Sequence, residues 1–132
     1  MDSIAIENML ERGLLERLTT DSLDDFLASD RLCVLFFAGG NSQRSDAHDV
    51  AVALREVLRE YPGSVRAGLV DEAQGSEWQQ RFRVLVSPSL VLAHAGSTLE
   101  VIPQVRDWAD YSRAFQRYLG PPANKAVREA RA

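Results

Sequence analysis

Leu32-Cys33-Val34-Leu35-Phe36-Phe37 is an unbroken apolar run of strand length, mixing aliphatic, β-branched and aromatic side chains. A strand with one wet face alternates polar and apolar residues. A run without alternation reads as a strand buried on both faces of a sheet. Ala38-Gly39-Gly40-Asn41-Ser42 has the composition of a loop. Beyond it Val50, Leu54, Val57, Leu58 and Tyr61 recur at i, i+4, i+7, i+8 and i+11, the stripe of a long amphipathic helix. Asp46 is its expected N-cap, and Pro62-Gly63 stops it. Val65, Ala67 and Leu69 then alternate with Arg66 and Gly68, which predicts a second strand. A strand, a helix and a second strand in this order predict a parallel pair with a right-handed crossover.

The flanks extend the pattern. Ser76 is the expected cap of a shorter helix carrying Trp78 and Phe82. After Val84-Leu85-Val86-Ser87-Pro88, a third strand runs from Ser89 to Ala93, and a turn at Ala95-Gly96 leads to a hairpin partner near Leu99–Ile102. Asp107 is expected to cap a last helix whose Trp108, Tyr111, Phe115 and Leu119 face the core. On the N-terminal side, Ile6, Met9, Leu10 and Leu14 predict a helix over residues 4–17. Ser22 with Asp25 resembles a capping box ahead of a short helix carrying Leu23, Phe26 and Leu27. The resulting order predicts an α/β three-layer sandwich. One domain is expected over residues 1–120, with a polar tail over 121–132 that frays from Ala123 onward.

Composition bounds the chemistry. A protein of 132 residues with 45% hydrophobic and 26% charged residues suits one globular domain with a core of its own. A single cysteine excludes an intrachain disulfide and any Cys-x-x-Cys site, and two histidines argue against a multi-histidine metal centre. Asp46-x-His48-Asp49 offers too few ligands on one helix face, so no metal or cofactor is expected. A Ser-His-Asp triad built on Ser45 or Ser87 has no G-x-S-x-G context to support it. The net charge of −4 argues against nucleic acid as a partner. The acidity is concentrated in residues 1–30, which carry eight acids against two arginines, while the remainder is mildly basic. No apolar run reaches the roughly 20 residues that span a membrane. Met1-Asp2-Ser3-Ile4 is acidic where a secretory signal is basic, so a cytoplasmic location is expected.

From Leu32 to Leu119 the sequence resembles a thioredoxin: a buried strand ending in Phe36-Phe37-Ala38, a loop, a long helix, and a strand preceded by Ser87-Pro88. The resemblance implies a thioredoxin-like α/β/α sandwich with a mixed central sheet, an extra N-terminal helix and a cis-proline at Pro88. Where thioredoxins carry Cys-x-x-Cys, this protein has Gly39-Gly40-Asn41-Ser42-Gln43-Arg44-Ser45-Asp46, and Leu35 falls near the position of their buried carboxylate. Cys33 lies inside the apolar run, where a thiol acts as a small hydrophobe and its thiolate is disfavoured. Disulfide exchange is therefore excluded.

A narrower resemblance rests on Met9-Leu10-Glu11-Arg12-Gly13, Leu58-Arg59-Glu60-Tyr61-Pro62, Arg81-Phe82-Arg83-Val84 and Arg106-Asp107-Trp108-Ala109-Asp110. In these the sequence is similar to the hydrogenase expression proteins HyaE and HupG, thioredoxin-like proteins without the cysteine pair. That implies a non-catalytic chaperone in [NiFe] uptake hydrogenase maturation. Its implied partner is the small-subunit precursor with a twin-arginine signal peptide, and other hydrogenase accessory proteins are further candidates. Guanidinium groups call for paired carboxylates, and Asp46 with Asp49 and Asp71 with Glu72 are the candidate pairs. By the thioredoxin likeness, Val86, Ser87 and Pro88 would present backbone groups to an extended peptide facing the Asn41–Ser45 loop, with Asn41 and Ser42 among the contacts. Two other readings remain open: a glutathione-binding protein using Ser42 or Ser45 in place of cysteine, and a dimerisation module pairing exposed sheet edges in a homodimer.

Overall fold

The computed structural model describes residues 3–70 and 72–122, without the side chains of Asn41, Glu72 and Ala73. In sequence order the elements are α1 (Ile4–Glu11), β1 (Glu16–Leu18), α2 (Leu23–Leu27), β2 (Leu32–Phe37), a 3-10 turn (Asn41–Gln43), α3 (Arg44–Glu60), β3 (Val65–Val70), α4 (Glu72–Phe82), β4 (Ser89–His94), β5 (Ser97–Pro103) and α5 (Trp108–Leu119). The sheet order is β1-β3-β2-β4-β5. β2 pairs in parallel with β3 and antiparallel with β4, which puts it at the centre of a mixed sheet.

The apolar run is buried at every residue. Its pleat sends Val34 and Phe36 into a core shared with Ile6, Val50, Leu54 and Tyr111, from α1, α3 and α5. Cys33, Leu35 and Phe37 face the opposite way, against Phe26 of α2 and Trp78 and Phe82 of α4. Each large apolar side chain buried in this way contributes about 1.5–3 kcal/mol. The two covered faces are why the run lacks alternation, and they make the molecule an α/β/α sandwich.

Four expectations change. The helix over 4–17 stops at Glu11, because Gly13 turns the backbone at φ +72°. Leu14 is left exposed, while Leu15 and Leu18 are buried and Glu16–Leu18 forms the short edge strand β1 parallel to β3. A Cβ on Gly68 would stand 2.6 Å from the Leu18 side chain, so the glycine makes room for that strand. Arg66 of β3 grips Glu16 at 2.8 and 3.1 Å and lays its guanidinium over Phe26. Second, α3 starts at Arg44, so Asp46 sits in its first turn instead of capping it. It favours the positive helix end from there. Third, Ser22 and Asp107 precede α2 and α5 without capping them through their side chains, and Ser22 Oγ accepts from Thr19 N at 2.9 Å instead. Ser76 likewise falls inside α4, not at its start. Fourth, Trp108 points to solvent and is 46% exposed, while Tyr111 and Phe115 fill the core as expected. The fraying expected from Ala123 onward lies outside the described residues.

Candidate functional site

β2 and β3 run in parallel and end at Phe37 and Val70. Their carboxyl ends, the Gly39-Gly40 loop, α4 and the segment before β4 enclose a cleft of about 320 Å³. This is where open α/β sheets ordinarily hold ligands.

Gly39 closes β2 at φ +83°, a conformation that costs a residue with a side chain. A Cβ there would meet both Gln43 Oε1 and Ser87 Cβ at 2.9 Å, so the loop backbone lies directly against Ser87. Gly40 N donates to Gln43 Oε1 at 2.9 Å, which ties the loop to the start of α3. Across the cleft, Gln79 Nε2 of α4 donates to Ser87 Oγ at 3.0 Å. The Ser87–Pro88 bond is cis. Ser89 Oγ donates to Val86 O at 2.7 Å, and Gln104 N donates to Pro88 O at 2.9 Å. The loop holding Gln104 is in turn pinned by the buried Tyr111 hydroxyl, which donates to Gln104 O and accepts from Arg106 N. Burial pushes the Tyr111 hydroxyl above the ordinary phenol range, so it stays a neutral donor.

These bonds fix the segment Val86–Pro88 while leaving part of its backbone open. Among the described residues neither the N–H nor the C=O of Ser87 makes an intramolecular hydrogen bond. Leu85, two residues before it, is 93% exposed, the highest among the large exposed hydrophobic side chains described.

The sequence-based candidates separate into two groups. Val86 and Ser87 line the cleft, and Pro88 follows them into β4 without lining it. Ser42 is exposed on the 3-10 turn, and Asp46 and Asp49 are exposed on the first turns of α3; none of the three is among the lining residues. Asn41 opens the 3-10 turn and Glu72 opens α4, both without a described side chain, and Asp71 lies outside the described residues. The described part of the lining thus holds backbone groups, amides and hydroxyls but no carboxylate. Among the lining residues, sequence reasoning did not single out Gly75, Gln79 or Leu85, and it reached Gln43 only as part of the Asn41–Ser45 loop. Leu85 carried a signal, being an apolar residue in a turn-rich segment outside any strand. The two glutamines carried none, since their role depends on a tertiary approach.

Cys33 is fully buried, its Sγ 3.2 Å from Phe26 O, and burial raises its pKa against the opposing pull of Arg66 and Arg31. No group of three or more metal-ligating side chains occurs among the described residues. None of the helices among them is long and apolar enough to cross a membrane.

The family profile of "Hydrogenase-1 expression protein HyaE" matches residues 5–111. The protein belongs to the HyaE family of hydrogenase expression proteins. It is 34% identical to the hydrogenase expression/formation protein HupG of Rhizobium leguminosarum bv. viciae, over 92% of this sequence and 84% of that one. It is also 34% identical to the hydrogenase expression/formation protein HoxO of Cupriavidus necator, over 91% of this sequence and 76% of that one. Among solved structures, it is similar to a thioredoxin from Trypanosoma brucei brucei, with a TM-score of 0.66 at 17% identity, covering 78% of this protein and 88% of the other. At that identity the likeness establishes the thioredoxin fold and nothing about redox chemistry. A member of the HyaE family thus keeps the thioredoxin frame while glycine, asparagine, serine and glutamine occupy the dithiol position.

Proposed function

We propose that this protein is a non-catalytic, cytoplasmic chaperone of [NiFe] uptake hydrogenase maturation, which holds the small-subunit precursor by its twin-arginine signal peptide before export. Membership of the HyaE family supports the hydrogenase role. The observation that carries the holding role is the open backbone of Ser87, set in a cleft between the Gly39-Gly40 loop and α4 and rimmed by exposed Leu85. A free N–H and C=O on one residue accept an extended peptide as one more strand would, and this pairing is indifferent to side-group identity. Leu85 and Val86 add an apolar contact for the hydrophobic stretch of the signal. The two arginines would pair with carboxylates outside the described lining, for which Asp46 with Asp49 and Asp71 with Glu72 are the candidates. With no thiol in the loop, the bound peptide is gripped and released unchanged.

Co-purification with the precursor, with and without its signal peptide, tests the reading. Full-length precursor is retained and the truncated form is lost. Leu85→Asp places a charge where nothing packs, so thermal stability stays within about 0.5 kcal/mol of the parent. Precursor retention falls about tenfold or more. Equal retention of both precursor forms removes the signal peptide from the proposal, and unchanged retention by the Leu85 variant removes the cleft.

A further inference from the structure

Ser87 is held on two sides. The Gly39 backbone packs against its Cβ, and Gln79 Nε2 donates to its Oγ at 3.0 Å. Gln79 is itself anchored, since its backbone carbonyl oxygen accepts from Val84 N at 2.8 Å as the polypeptide leaves α4 through Arg83 at φ +58°. An amide N–H can only donate, so the hydroxyl oxygen of Ser87 is the acceptor in this pair. Its own proton remains to be given, and among the described residues no acceptor takes it.

We infer that Gln79 is a positioning residue that turns the Ser87 hydroxyl into an oriented donor facing the cleft, and that the site selects peptides presenting a carbonyl oxygen opposite it. The inference rests on the peptide-holding role proposed above and adds to it the third polar contact. Ser87 would meet a bound peptide with its N–H, its C=O and its O–H together. The ligand class is an extended peptide segment with a carbonyl, of the backbone or of an amide side group, at that register.

Titration calorimetry with the full-length protein and a synthetic peptide of the precursor's signal sequence tests this through two double-mutant cycles. Gln79→Leu removes the donor. Gln79→Glu keeps the size but, as a carboxylate, accepts the Ser87 proton and turns the hydroxyl away from the peptide. Each change weakens binding about 5-fold in the parent, about 1 kcal/mol at 1.4 kcal/mol per factor of ten. In a Ser87→Ala background neither change has any further effect on binding through this pair. The glutamate variant also retains the parental melting temperature, which separates polarity from packing. Additive effects in the cycles, or parental affinity in Gln79→Glu, overturn the inference while leaving the peptide-holding role intact. Absence of peptide binding by the unaltered protein overturns both.

Discussion

Cys33 and the Gly39-Gly40 loop belong to the same strand and its exit, yet they make opposite environments. At Cys33 the strand is sealed between α2, α4 and its sheet neighbours, and burial holds the thiol protonated. At the exit, backbone N–H groups and the start of α3 would favour a thiolate, but the residues there carry no sulfur. The one sulfur nucleophile sits where it cannot react, and the place suited to reaction has none. Packing therefore governs the strand, whereas its exit is free to be a binding surface.

The sharpest way to break this contrast is to cut into the strand and into the cleft rim in parallel. Phe36 is fully buried in the core under α3 and α5. Phe36→Ala is expected to cost about 3–5 kcal/mol, seen as a lower urea midpoint. Leu85→Asp, tested in the same series, leaves the midpoint in place. A small loss at Phe36 would mean that the strand is not the keel of the fold.

The same contrast explains what could be read from the residues alone. β2, α3 and the β4–β5 hairpin were legible because each has enough length for its period to show, and the two-sided burial of β2 erased alternation in a recognisable way. β1 was not legible, because three residues carry no period and Leu14 continued the helical stripe of α1 past its real end. Gly13 was the signal that could have corrected this. Val86 and Ser87 were found only through the likeness to thioredoxins. Gln43 entered only as part of the Asn41–Ser45 loop, and Gln79 was not found at all: a hydrogen bond from α4 to a loop eight residues on depends on the turn at Arg83, which no local pattern announces.

Gly39 joins the two regions and gives the next expected effect. Replacing it with alanine forces a side group into φ +83° and sets a methyl against Ser87 Cβ. The left-handed conformation alone costs about 1–2 kcal/mol. The loss is expected in the denaturation midpoint, accompanied by shifted amide resonances at Ser87 in a heteronuclear NMR spectrum. A variant that is neutral in both would detach the loop from the cleft.

The smallest effect lies at Cys33 and appears as a slope in stability against pH. Burial raises its pKa in the folded state, whereas an unfolded thiol titrates near 8.5. Between those two values the native protein keeps a proton that the unfolded one has released, so the unfolded state binds fewer protons and stability falls as pH rises. The contribution is complete below about pH 8.5 and is lost progressively above it. Tyr61, Tyr111 and Tyr118 are also raised by burial, but their unfolded counterparts have their midpoint at about pH 10. Chemical denaturation between about pH 8 and 9, below most of the tyrosine titration, therefore reports chiefly on the thiol. The parent should lose stability across that range and Cys33→Ala should stay level by comparison. Identical slopes in the two proteins would mean that the thiol ionises as freely inside the strand as outside it, and the division between a sealed strand and an open exit would fail at its own sulfur atom.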